Sequence, residues 1–144
     1  EWLEARQRKQ GWEDGLKSVG IDITPTKWAM GNWSSASGES ALAELLQKYP
    51  VMNAVFVSND QMALGALHYC HTNGIRVPED LAIIGFDNLA ESPYFTPSLT
   101  TITNPLRELG ILAVKTLLAQ IDGHTEPESF VTLQTDLLIR GSTP

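Results

Sequence analysis

The stretch NAVFVSNDQMALGAL at residues 53–67 changes character at its middle. A short apolar run of strand length, 53–57, meets Ser58-Asn59-Asp60 and passes straight into a helix expected over 60–73, closed by Gly74. A strand that feeds directly into a helix lifts an amide and a carboxylate to its carboxyl end, where open α/β sheets bind their ligands. The arrangement recurs at 81–86, where LAIIGF delivers Asp87-Asn88. A weaker third instance runs over 26–30, followed by Gly31-Asn32-Trp33-Ser34. Three strand ends are thus expected to present Trp33, Asn59 and Asp87 along one edge of a sheet.

Working outward, residues 1–19 read as a helix with an apolar stripe of Trp2, Leu3, Trp12 and Leu16 and a C-terminal stop at Gly20. Ser37 or Gly38 opens a helix through Tyr49, with Ala41, Leu42, Leu45 and Leu46 facing inward and Pro50 ending it. Pro78-Glu79-Asp80 turns the chain into the 81–86 strand. The order β-α-β-α-β predicts an α/β fold, a three-layer sandwich around a mostly parallel sheet with helices on both faces.

Beyond Asp87 the pattern weakens into a loop over 89–97, and 99–102 is a short β-prone run. Pro105 then suits the first position of a helix reaching Ile121 and stopped by Asp122-Gly123. Its apolar residues, among them Leu109, Leu112, Val114 and Leu118, occupy most of its circumference, so it wants burial on several sides. Its packing partner is expected to lie outside the chain, which reads as a piece of something longer. Segments 130–133 and 137–140 are β-prone and close the sequence. The expected division is 1–104 as one subdomain and 105–144 as a crossover helix with terminal strands.

A length of 144 residues with 42% hydrophobic content fits one compact unit. Ten basic against seventeen acidic side chains, a formal charge of −7, argue against a bare nucleic-acid surface, since phosphate contacts need clustered Lys and Arg. Cys70 stands alone in an apolar helix, which excludes disulfides within the chain and makes a reducing, cytoplasmic setting the simpler expectation. No apolar stretch of membrane-spanning length occurs, and no signal-peptide pattern opens the sequence. His68, His71 and His124 lack the spacing of a metal site; neither a phosphate-binding glycine loop nor a nucleophile elbow is present. No metal, cofactor or catalytic machinery is expected.

Four blocks in order, NAVFVSNDQMALGAL, IRVPEDLAIIGFDN, SPYFTPSLTTI and PLRELGILAVKTLLAQIDG, resemble the effector-binding domain of the LacI/GalR family of bacterial transcription repressors. The likeness covers nearly the whole chain. It implies a periplasmic-binding-protein-like (type I) α/β core in which this chain forms the C-terminal subdomain and the crossover segment. The helix-turn-helix head and most of the N-terminal subdomain would lie elsewhere. A small polar effector, a sugar or a nucleobase-like molecule, would sit in the cleft between subdomains.

By that resemblance Asp87 is the effector-gripping aspartate, able to accept from two ligand donors at once, although unaided its residue type equally suits capping of the following turn. Asn59 is assigned to the ligand and Asp60 to the helix end, with an N-cap the alternative role for Asn59. Trp33 would lay its indole against a sugar or base, or else fill the core. Arg6 and Arg8 sit where the family places effector-contacting arginines, although each alone also suits a solvated helix face. Asn104 matches a polar hinge position and is counted with the ligand-binding residues, although its short amide suits direct contact less well. Ala63, Leu64, Leu67, His68 and Tyr94 are the expected homodimer surface, the other reading being that Leu64 and Leu67 face their own sheet. Operator DNA would be reached only through the N-terminal head. Bending is expected near 99–103 and after Gly123. Two rival functions remain open at this stage: a periplasmic sugar-binding protein of a transporter, and a small α/β enzyme.

Overall fold

The computed structural model describes residues 2–21, 23, 27–123 and 131–144 of the chain. Among the described residues four α-helices, α1 (Leu3–Ser18), α2 (Ser35–Lys48), α3 (Asp60–Thr72) and α4 (Leu106–Ile121), and a 3-10 turn at Ser92–Tyr94 accompany four strands, β1 (Ala54–Phe56), β2 (Ala82–Asp87), β3 (Thr100–Thr103) and β4 (Leu137–Leu138). The strands form one sheet in the order β1-β2-β3-β4. β1, β2 and β3 run parallel, with Ala54 opposite Ala82 and Ile84 opposite Thr100, whereas β4 is antiparallel to β3. The fold is the α/β, mostly parallel arrangement expected.

Burial alternates along β2 as a half-covered strand requires: Ile83 and Gly85 are buried while their neighbours are partly exposed. Ile83 joins Leu42, Val57, Met62, Ala63, Ala66, Leu67, Cys70, Leu81 and Leu99 in the core between the sheet and the α2–α3 pair. Those two helices approach so closely that a Cβ on Gly65 would strike the backbone carbonyl of Ser35, and one on Gly38 that of Met62. Small residues at both crossing points let the backbones meet. Helix starts are set by side chains: the Ser34 hydroxyl accepts from the N–H of Ser37 at 3.2 Å, and the Asn59 amide oxygen accepts from that of Met62 at 2.9 Å. At the other end of α3, the Arg76 guanidinium grips Asp80 through two side-chain hydrogen bonds, which hold the Asp80 carboxyl down at about 2 and tie off the turn into β2.

The end of the chain is woven into the sheet. Ser142 is fully buried; its carbonyl accepts from Ile83 N at 2.8 Å, while its hydroxyl accepts from Thr100 N at 2.8 Å and donates to Ile83 O at 2.6 Å. This one residue fills the rung that β2 and β3 leave open where they begin to diverge.

Several expectations are corrected. Residues 27–30 form no strand; they line the same cavity as β1 but join no ladder of the sheet, and Thr26 lies outside the described residues. Residues 131–133 are likewise not in a strand, and Phe130, His124 and the segment directly after Gly123 lie outside the described residues, as does Glu1 at the start of the first helix. Ala63 and Leu67, assigned to a dimer surface, are 0% and 4% exposed and belong to the core, because that side of α3 faces the sheet. Leu64, His68 and Tyr94 of the same group are exposed. No residue of α4 is buried, and Leu106, Leu109, Val114, Leu117, Leu118 and Ile121 all stand open, as expected of a helix that needs a covering surface these elements do not supply.

Candidate functional site

Asp87 ends β2, and Ser58 and Asn59 follow β1, so the two parallel strands deliver polar groups to the same edge. Between them reaches Arg8 from the middle of α1. Its guanidinium donates to the carbonyl of Ser58 at 2.8 Å, approaches the Asp87 carboxylate at 3.9 Å, and lies 4.2 Å above the Phe86 ring and 5.6 Å from that of Trp33. A guanidinium held between two aromatic faces keeps its planar fork ordered while leaving donor edges free. Asn104, just before α4, donates to the same carboxylate at 3.3 Å.

Asp87 is partly buried, and burial raises its carboxyl above the ordinary aspartate value; the hydrogen bond from Asn104 and the charge of Arg8 oppose the rise, and the nearby Asp60 adds to it. Three non-glycine residues adopt left-handed backbone here: Trp33 at φ 72°, Asp87 at 103° and Asn88 at 52°. Each such residue costs about 1 to 3 kcal/mol and persists only where its surroundings dictate it. That all three lie at this edge marks it as the specialised part of the molecule.

Asn59 and Asp87 are therefore brought to one edge, as expected; Trp33 joins them although no strand precedes it, as do Arg8 and Asn104. Arg6 is not: its side chain is exposed and has no partner among the described residues. The roles of Asn59 and Asp60 are corrected. Asn59 is 8% exposed; its oxygen caps α3, and its nitrogen donates to the Trp33 carbonyl at 3.1 Å, which pins the left-handed Trp33 backbone. Asp60 does not cap the helix. Fully buried, it accepts from the hydroxyls of Ser92 at 2.5 Å and Thr101 at 2.6 Å and from the N–H of Leu89 at 3.0 Å. The sequence reading missed this hub, as well as Phe86 beneath Arg8. A carboxylate at the first turn of an otherwise apolar helix was its only signal.

Beside the cluster a cavity of about 460 Å³ opens between α1, residues 27–33 and β1. All four tryptophans line it, with Trp2 6.3 Å from Trp33 and Lys9 4.0 Å from the Trp28 ring. It shares Trp33 and Ser58 with the polar cluster but includes neither Arg8 nor Asp87. The polar cluster holds the carboxylate and the guanidinium, whereas the polar groups of the cavity lining are Lys9, Lys27, Asn32 and Ser58.

The sequence profile of the periplasmic binding protein-like domain matches residues 3–143. The transcriptional repressor CytR of Escherichia coli K12 is 40% identical over 136 residues, which are 94% of this chain and 40% of that protein. The regulator CelR of Thermobifida fusca is 32% identical over the same share. This chain belongs to the LacI family of periplasmic-binding-protein-like domains. Solved structures of the family agree: CelR in complex with cellobiose superposes at a TM-score of 0.88 with 32% identity, covering 94% of this chain and 41% of that one. The lac repressor dimer bound to operator and an anti-inducer superposes at 0.89 with 34% identity over 97% of this chain and 48% of that one. The chain spans about two fifths of the length of the curated LacI-family relatives it matches.

Proposed function

We propose that this chain is the effector-binding and dimerisation portion of a DNA-binding transcriptional regulator, sensing a small polar ligand, a sugar, in a cleft of which the Arg8–Asp87–Asn104 cluster is one wall. The observation that carries the reading is that cluster at the carboxyl end of β1 and β2. A carboxylate accepts from two adjacent hydroxyls, a guanidinium edge and an amide donate to ring and hydroxyl oxygens, and the Trp33 indole offers an apolar face for the C–H side of a pyranose. Donors and acceptors on one wall with an aromatic face nearby suit a polyol better than an apolar effector.

The naming of relatives as transcriptional repressors, and a family structure holding cellobiose, support a regulator over a transporter's binding protein. The second wall is assigned to the other subdomain, docked on the exposed apolar residues of α4. Ligand bridging both walls favours one cleft angle, and differential affinity for that angle is what couples the site to an operator-binding head. Leu64, His68 and Tyr94 are the surface assigned to a two-fold partner, matching the symmetry of paired operator half-sites.

The test is calorimetric titration of the full-length protein with disaccharides, monosaccharides and nucleosides, followed by operator binding with and without the ligand found. Asp87→Ala is expected to abolish ligand response and leave operator affinity within about threefold. A variant released from operator as readily as wild type would end the assignment. Light scattering at tens of micromolar checks the dimer, whose expected mass is twice that of one chain.

A further inference from the structure

Asp87 can serve a ligand only if its carboxylate is aimed outward, and its direction is set by the left-handed pair Asp87–Asn88. Two backbone supports come from inside: Asn88 N donates to the Thr101 hydroxyl at 3.3 Å, and Leu89 N to Asp60 at 3.0 Å. The third comes from the far end of the chain. Arg140, two residues beyond β4, donates through Nη2 to the Asn88 side-chain oxygen at 2.8 Å and through Nη1 to the Leu99 carbonyl at 2.8 Å. Its own backbone is clamped to Thr100: Arg140 N donates to the Thr100 hydroxyl at 2.8 Å, and that hydroxyl donates to Arg140 O at 3.2 Å. The guanidinium is thus fixed at its root and forked at its tip, with one prong on β3's entry and the other on the turn after β2.

We propose that Arg140 is a positioning residue for the ligand aspartate: by holding the Asn88 amide and the Leu99 carbonyl together it locks the left-handed turn that aims Asp87 into the crevice. Among the described residues Arg140 makes no hydrogen bond or ion pair to Asp87, so it reaches that carboxylate through Asn88 and Leu99. The consequence is that the final strand of the chain belongs to the ligand site. Any displacement of β4 relative to β3 is transmitted to Asp87 through one side chain. Lysine does not reproduce it, because its donors leave one nitrogen, whereas the two acceptors are met here from separate nitrogens of a planar fork. The proposal rests on Asp87 being the ligand carboxylate, and its test reads Asp87 without any ligand.

The experiment follows the Asp87 carboxyl carbon by NMR through a pH titration of the ligand-free full-length protein, together with the couplings that report a positive φ at Asn88. In wild type the titration midpoint is expected above that of an ordinary aspartate, because burial raises it. In Arg140→Ala and Arg140→Lys the midpoint is expected to fall toward the ordinary value, and the positive-φ signature to average out, in protein that remains folded. Asn88→Gly supplies the second arm, because glycine adopts the left-handed conformation without help. In that background Arg140→Ala should lower the melting temperature by less than half as much as in wild type. An unmoved Asp87 midpoint with the signature intact, or an Arg140→Ala penalty equally large in both backgrounds, would overturn the proposal. Loss of ligand response in Asp87→Ala is a separate measurement, so the two readings fail independently.

Discussion

The hydroxyl of Thr101 donates to the carboxylate of Asp60 across 2.6 Å, at a point where both side chains are fully buried. That bond fastens the first turn of α3 to β3, and the same hydroxyl accepts from Asn88, so the interior of the fold is tied directly to the turn that carries Asp87. Asp60→Asn would set an amide N–H against groups that are themselves donors. Because leaving a buried donor without its acceptor costs about 1 to 3 kcal/mol, the substitution is expected to cost about that much in urea unfolding. An unchanged midpoint would mean that the three donors find other acceptors.

Asp87 is expected to trade stability for binding. Its carboxyl is raised in the folded state, chiefly by burial, so the folded protein holds that proton more tightly than the unfolded chain does. The associated stability is present below the ordinary aspartate value and is lost as pH rises through the raised one. At neutral pH the ionised group is therefore a burden, and Asp87→Asn should raise the melting temperature of the ligand-free protein while removing ligand binding. Thermal scans at pH 4 and pH 7 check the sign, since the gain should shrink at the lower pH.

Close approach of α2 and α3 leaves no room for a methyl group at their crossing. A Cβ on Gly65 meets the Ser35 backbone, which cannot swing aside as a flexible side chain would. Gly65→Ala is therefore expected to destabilise by about 1 to 3 kcal/mol despite alanine's better helix propensity. Calorimetric melting of the variant decides it; a stabilised protein would show that the helices slide apart freely.

Cys70 is 1% exposed, and burial pushes its thiol up to about 11. Such a thiol stays protonated and unreactive at ordinary pH. A disulfide reagent at pH 8 should label it only after denaturant is added, and native-state labelling at the rate of free cysteine would contradict its placement. Because the folded value lies above the ordinary 9.0, this residue's contribution to stability is complete below pH 9 and fades as pH climbs toward 11.

Local pattern carried the α/β order, the helices of 60–73 and 105–121, the strands near 53–57 and 81–86, and the delivery of Asn59 and Asp87 to one edge, because a strand that runs into a helix places its last residues at one sheet edge whatever the side chains do; Trp33 follows no strand and is held there by the hydrogen bond from Asn59 to its carbonyl. Periodicity also foretold that α4 stands uncovered. Tertiary contact alone decided which polar group does what. Asn59 and Asp60 are adjacent and both suit a cap; only the depth of Asp60 against Ser92, Thr101 and Leu89 makes one the cap and the other the hub. In the same way α3 offers Ala63 and Leu64 side by side, and the sheet takes the first and leaves the second outside. Arg140 and Asn88 lie 52 residues apart, and no periodicity links them. Sequence spacing encodes faces and ends of elements, whereas a hydrogen bond between distant residues exists only after the sheet has set its register.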